Sequence, residues 1–277
     1  MNLLDIISAL TEAGIENSIY EAVLIASHFT GKAEALLLSD RNVTLECADE
    51  AALRRAVLRR ASREPLQYIL GEWDFMGLTF RVSEDCLIPR ADTELLCEYA
   101  IAKLPHGGSM LDLCTGSGCI AVSVARYRKD VSVSALEKYE NTIRIAMEND
   151  KLITGGKIRF VTADVTDSKA AEESFGGESF DFIASNPPYV TKEEMLTLEP
   201  ELSREPRHAL TDEGDGLYFI RAIVDIYPKY LKCGGILAIE HGYAQGEAVR
   251  DIMERAGYKA ETLRDLSGKE RVTLLVK

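Results

Sequence analysis

Apolar residues recur at helical spacing from the start of the chain: Leu3, Leu4, Ile7 and Leu10 share one face, with Asp5 and Glu12 breaking the run. Ser18 with Glu21 predicts a capping box ahead of the apolar Ala22–Ile25 stretch, and Gly31 predicts where that helix stops. Lys32 to Leu38 predicts a short helix. Asp49 predicts the cap of a longer one ended by Pro65. Helices this short are not stable alone in water, so residues 1–70 are expected to form a small bundle. The period then changes. Trp73, Phe75, Leu78, Phe80 and Val82 predict two short strands turning at Met76-Gly77, a hairpin linker over residues 71–85. Another helix signal follows at Asp92, just after Pro89.

From Ser109 onward, strand and helix patterns alternate. The strands read MLDLC, VSVSAL, IRFVTA, FDFIASN and GILAIEHG; helices read CIAVSVARY, NTIRIAMENDKL, about Leu217 to Tyr230, and AQGEAVRDIMERAG. Such βα units imply an α/β fold with a parallel sheet covered on both faces. The last two strands, KAETLRD and RVTLLVK, break the alternation and are expected to pair antiparallel at an edge. Residues 86–277 are thus read as one α/β domain.

Composition narrows the function. The chain has 277 residues and a formal charge of −13, the opposite of the basic footprint that phosphate-backbone binders carry. No apolar run reaches the roughly 18 residues of a membrane helix, and the first residues lack the basic start of a signal peptide. The six cysteines show no CxxC or zinc-like spacing and are read as reduced thiols of a cytoplasmic protein, with no metal.

The first βα turn of the domain reads L-D-L-C-T-G-S-G-C-I-A. Gly116 and Gly118 let backbone approach a ligand, and the helix behind them offers free N–H groups. Glu137 ends the second strand, where a carboxylate can accept both hydroxyls of a ribose. Asp164 ends the third, near an adenine amino group. Gly116-x-Gly118-x-x-Ala121 also fits a relaxed nicotinamide fingerprint, so an NAD or flavin oxidoreductase competes on this segment. Asp112 lies where a carboxylate could hold a ligand ammonium and would repel a pyrophosphate, which favours a cationic cofactor such as S-adenosylmethionine.

The fourth strand runs into Asn186-Pro187-Pro188-Tyr189. Two prolines fix φ twice and hold the chain rigid where the sheet opens. The Asn186 side-chain oxygen and the Pro187 carbonyl can both be turned outward as acceptors, and Tyr189 can lay its ring along a planar group. Two acceptors on the N–H bonds of a planar amide or aromatic amine aim its lone pair at a methyl group without a strong base.

Together these residues resemble an amino-methyltransferase of the seven-stranded S-adenosylmethionine-dependent class. NPPY is shared by adenine-N6 DNA methyltransferases and by the protein glutamine methyltransferases of the PrmC/HemK family. The segments PLQYILGEWDFMGLTFRV, LIPRADTELL, EPRHALTDEGDGL and IEHGYAQG, with the helical N-terminus, resemble the second group over essentially the full length. The resemblance implies N5-methylation of the glutamine in the Gly-Gly-Gln motif of bacterial release factors, with adenine-N6 methylation of DNA or RNA as the alternative. A release-factor-binding adaptor with a decayed site is a third reading, against which the intact NPPY and acids stand. The resemblance implies that Asp112, Cys114, Thr115, Gly116, Ser117, Gly118, Glu137, Asp164, Val165 and Asn186 line the cofactor. It implies that Asn186, Pro187 and Tyr189 are catalytic, and that Pro188 and Arg90 complete the substrate site. The family usually has Gly where Cys114 stands, commonly Asp at Glu137, and often an aromatic at Val165, so weaker cofactor fit is expected.

Arg55, Arg59 and Arg63 share a helical face, with Arg54 and Arg60 beside them, and read as a docking ridge for a partner protein or as a solvated face. His241 reads as structural. Cys114 and Cys119 flank the glycine loop and could make it oxidation-sensitive. A monomer is expected.

Overall fold

The computed structural model describes residues 1–46 and 49–277, so Cys47, one of the six cysteines, lies outside the described residues. The chain divides into two compact units. The first comprises Met1–Glu72 with Glu199–Arg204, a short segment from far along the chain. Its helices are α1 (Leu3–Glu12), α2 (Ser18–Thr30), α3 (Glu34–Ser39), α4 (Glu50–Ala61) and α5 (Leu66–Leu70). Leu3, Ile6, Leu10, Ile25, Leu37 and Leu53 are fully buried at their shared core. No described helix is long and apolar enough to cross a membrane.

Three local expectations are corrected here. Ser18 and Glu21 form no capping box: Asn17 occupies the cap position without a side-chain bond, and Ser18 lies inside α2. The Ser18 hydroxyl bonds Thr11, while the Glu21 carboxylate is committed to Arg60, so tertiary partners displace the local cap. Helix α4 ends at Ala61, well before Pro65, because Arg63 turns left-handed at φ 68° and the Glu64 N–H returns to the Arg59 carbonyl. The arginine stretch is also no free basic ridge. Arg54 pairs with Glu50 at 2.7 Å, Arg55 with Asp49 at 3.7 Å, and Arg59 with Glu64. Arg60 is buried between Glu21 and Glu201, and Arg63 shares Glu201 at 2.9 Å. The acids just outside the stretch fold back onto it.

The second unit comprises Trp73–Leu198 and Glu205–Lys277. Strands β1 (Glu72–Phe75) and β2 (Leu78–Arg81) form the hairpin. Met76 and Gly77 both have positive φ, 53° and 67°, as a turn matched to the strand twist requires. After α6 (Glu94–Lys103) come β3 (Ser109–Leu113), α7 (Cys119–Tyr127), β4 (Ser132–Glu137), α8 (Glu140–Ile153), β5 (Arg159–Thr162), α9 (Ser168–Phe175) and β6 (Phe180–Ser185). Then follow α10 (Arg207–Leu210), α11 (Tyr218–Ile226), β7 (Leu231–Glu240), α12 (Gly246–Arg255), β8 (Ala260–Arg264) and β9 (Glu270–Val276).

The seven strands lie in the order β5-β4-β3-β6-β7-β9-β8, all in one direction except β9, which runs antiparallel to both of its neighbours. Leu111, Leu113, Ile183 and Ile239 pack under Phe175, Ile220 and Tyr227 on one face. Met110, Phe182, Ala184 and Ala238 pack under Leu96, Val122 and Val124 on the other. Both faces are covered, which is why these strands read as near-continuous apolar runs. Strand order reverses at β3, which has β4 on one side and β6 on the other, and the cleft of such a sheet opens at that switch point.

Candidate active site

Register builds the site. Leu113, the last residue of β3, pairs with Leu136 of β4 and with Ser185, the last residue of β6. The Ser185 hydroxyl donates to the Leu113 carbonyl at 2.9 Å, locking the two strand ends together. The glycine loop from Cys114 and the corner from Asn186 therefore leave the sheet side by side. Glu137, one residue past Leu136, pairs with Thr162 of β5, and Asp164 follows two residues on. Four strand ends thus converge on one open cleft.

The structure places Cys114, Thr115, Gly116, Ser117, Glu137, Asp164, Val165, Asn186, Pro188 and Arg90 along this cleft. Asp112, Gly118, Pro187 and Tyr189 are not among its lining residues. Side chains alternate along β3, so Asp112 shares the face of Met110 and is fully buried. Its Oδ2 accepts the Thr115 hydroxyl at 2.5 Å and the Ala121 N–H at 3.2 Å, and its Oδ1 has no partner. Asp112 therefore anchors the glycine loop to the start of α7. Burial pushes its carboxyl up to about 7. Gly118 sits at φ 81° against α8, where a Cβ would press within 3.1 Å of the Ala146 Cβ. Its role is helix packing. Gly116 differs: at φ 57° its missing Cβ would stand in open space along the cleft.

Glu137 is 7% exposed and gathers three backbone N–H groups, from Gly116 at 3.1 Å, Lys138 at 2.9 Å and Tyr139 at 3.1 Å. Burial nevertheless raises its pKa, because burial outweighs those donors. Asp164 is pushed up by burial, but the Lys138 ammonium at 2.8 Å and Thr166 outweigh that and hold it below the usual carboxylate range. Cys114 has the left-handed φ of 59° where the resembled family has glycine, so its backbone keeps the glycine-type turn. Burial pushes the Cys114 thiol well up and the Cys119 thiol up to about 12, which disfavours the thiolate at both. Cys97, Cys114, Cys119 and Cys233 are free thiols.

At the corner, the Asn186 Nδ2 donates to the Thr93 hydroxyl at 3.1 Å. Among the described residues no protein group donates to its Oδ1. The Tyr189 hydroxyl turns to Glu240 at 3.4 Å, away from the cleft, and burial first, then the Glu240 charge, raises its pKa. Gly216 lies beneath this corner: a Cβ there would fall 2.1 Å from the Tyr189 carbonyl oxygen. Arg90 pairs with Glu205, whose other oxygen accepts the Ile88 N–H at 3.1 Å, so this buried acid shapes the wall that Arg90 lines. His241 is fully buried, bonded to the Gly242 carbonyl and the Thr273 hydroxyl, and is structural.

Sequence reasoning missed Tyr139 and His208, which line the cleft as a tilted ring pair with centroids 3.7 Å apart. It also missed Thr93 and Glu240. Thr93 lay within the quoted LIPRADTELL segment, and Glu240 within IEHGYAQG, but neither carried a signal of its own.

A switch-point cleft built this way on a seven-stranded sheet defines a methyltransferase-fold protein, and a family model for the methyltransferase small domain matches residues 91–233. A model for the PrmC N-terminal domain matches residues 3–71. The chain is 38% identical over 265 residues to a release factor glutamine methyltransferase from Geobacter sulfurreducens, covering 95% of this chain and 91% of that one. It is 38% identical over 256 residues to the one from Bordetella pertussis, covering 91% and 93%. A solved methyltransferase from Pyrococcus furiosus superposes with a TM-score of 0.52 at 16% identity over 80% of this chain and 96% of that one, a likeness of fold. The chain belongs to the release factor glutamine methyltransferase family.

Proposed function

We propose that this chain transfers a methyl group from S-adenosylmethionine to the side-chain amide nitrogen of the glutamine in the Gly-Gly-Gln motif of peptide-chain release factors. The observation that carries the reading is the Leu113–Ser185 pairing, which sets the glycine loop and Asn186 at adjacent edges of one cleft. Its relatives bear that activity in their names.

The cleft suits such a cofactor. Gly116 leaves room that any Cβ would fill, and the buried Glu137 carboxylate keeps lone pairs beside its three N–H donors. Gly116, Ser117, Glu137, Asp164 and Val165 would hold it, and Tyr139 with His208 offers the flat aromatic surface that Val165 does not. Bound there, S-adenosylmethionine supplies a methyl group made electrophilic by a sulfonium. Asn186 then acts by position. Its Oδ1 takes a substrate N–H bond and turns the amide lone pair towards the cofactor edge of the cleft. No strong base is required of the chain. The first unit, matched by the PrmC N-terminal domain, is proposed to recognise the protein substrate in the cytosol.

Incubation with labelled S-adenosylmethionine tests this against three substrates: a release factor, its variant with alanine for the motif glutamine, and adenine-containing DNA. Label is expected on the intact release factor alone. Label on DNA and not on the release factor would overturn the reading, and equal label on the alanine variant would overturn the site.

A further inference from the structure

The far end of the Asn186–Tyr189 corner is held by a side chain that the chemistry above does not use. Gln245 lies between β7 and α12, 56 residues beyond Tyr189. Its Nε2 donates to the Tyr189 carbonyl at 3.0 Å, and its Oε1 accepts the Gly242 N–H at 2.8 Å. Both partners are backbone groups of fixed polarity: a carbonyl only accepts and an N–H only donates. The Gln245 amide therefore fits one way round, and a carboxylate of the same size cannot replace it. The Gly242 end is rooted in the sheet. His241 bonds the Gly242 carbonyl through Nδ1 at 2.9 Å and the Thr273 hydroxyl, in β9, through Nε2 at 2.8 Å. Gly216 makes room for the clamp: a Cβ there would fall 2.7 Å from the Gln245 Nε2, besides striking the Tyr189 carbonyl.

We infer that Gln245 is a positioning residue for methyl transfer, which holds the Tyr189 carbonyl so that Asn186 is aimed. The corner is a short, stiff lever. Pro187 and Pro188 have fixed φ, and each restricts the residue before it. At the near end, the Ser185 hydroxyl ties the chain to Leu113 at 2.9 Å. One tie alone leaves the lever free to swing about the strand end; a second fixes its direction. Val190, the next residue, bonds the Leu210 carbonyl of the short α10 at 2.8 Å. The Gln245 bond is what returns the Tyr189 backbone to the sheet through Gly242 and His241. With so few soft torsions between Tyr189 and Asn186, a shift at one is passed to the other instead of being absorbed. This inference rests on the methyl-transfer reading, since it concerns the aim of the acceptor that reading uses.

The test compares the full-length wild type with Gln245→Glu, Gly216→Ala and the Gly216→Ala/Gln245→Glu double variant. The readouts are kcat and KM for the release factor, cofactor Kd by calorimetry, and thermal melting. Kinetics are measured well below the lowest melting transition, so that lost stability alone does not lower kcat. Gln245→Glu keeps the size and the acceptor for Gly242 but sets an oxygen against the Tyr189 carbonyl. It is expected to lower kcat about 10- to 100-fold, as a misaimed catalytic group does, with KM and cofactor Kd within about threefold. The double variant is expected to lose less than the product of the two single losses, because both changes displace the same carbonyl. Gln245→Glu at wild-type kcat, a loss confined to KM or to cofactor Kd, or a double variant as slow as that product would overturn the positioning role. Wild type that labels no release factor would instead overturn the functional reading beneath it.

Discussion

Asn186 and Gly116 separate catalysis from binding at single residues. Asn186→Ala removes an acceptor used mainly as the nitrogen reacts. Its kcat is expected to fall about 10²- to 10³-fold with cofactor affinity nearly unchanged, checked by steady-state kinetics beside calorimetry. Gly116→Ala should do the reverse in its largest effect. Its φ of 57° makes the new Cβ cost about 1–2 kcal/mol of stability, and that Cβ enters the cleft. Cofactor affinity is expected to drop more than about tenfold while the fold persists, since the alanine methyl occupies ligand space. Titration with the cofactor product S-adenosylhomocysteine checks this; unchanged affinity would remove Gly116 from the binding surface. The motif residues were legible because glycine, proline and an acid at a strand end each carry a local signature. Tyr139, His208, Thr93 and Glu240 were not, because each enters by packing of a loop or strand end that no local pattern encodes. Asp112 shows the same limit: its place before the glycine loop suggested the ligand, while its burial and its bonds to Thr115 and Ala121 appear only in the folded chain.

At the scale of elements, βα alternation reads directly from periodicity, and β3, α7, β4 and β6 lie where the pattern put them. Their order does not. That β6 and not β5 lies beside β3 is a property of the assembled sheet. The Ser18–Glu21 cap failed because Arg60, 39 residues away from Glu21, outcompeted a local bond. The corner is likewise held by a distant element. Gly216, just before α11, touches the Tyr189 carbonyl and sits at φ 72°. Gly216→Ala is expected to displace the corner, costing about 1–3 kcal/mol of stability. It should also lower kcat by more than tenfold, because about 1 Å of misplacement suffices. Urea unfolding and kinetics on the same sample check both; a wild-type kcat would show that the corner does not depend on this contact.

Across the whole molecule, the net charge of −13 hides where the acids are. Many are paired at the surface, but Asp112 and Glu240 are buried without cations, and burial pushes each carboxyl up to about 7. A raised carboxyl pKa favours the protonated folded form. The stability Glu240 contributes is therefore fully present below 4.5, its ordinary value, and lost as pH rises through about 7. Glu240→Gln cannot ionise, so its stability should fall less steeply than wild type between those limits. Urea midpoints at half-unit pH steps check this, and parallel curves would show that Glu240 does not titrate there.

The Ser185–Leu113 bond joins residues 72 positions apart. Neither edge of the cleft exists until the central strands have paired, so a growing chain has no site until most of it has emerged. Contacts this distant form late, after the entropy of closing a long loop has been overcome. Any ligand of the cleft therefore recognises completed folding and withdraws the native state from the unfolding equilibrium. At a hundredfold excess over its Kd it adds about 2.7 kcal/mol. The cofactor would then set how long the enzyme survives in the cell as well as what it does.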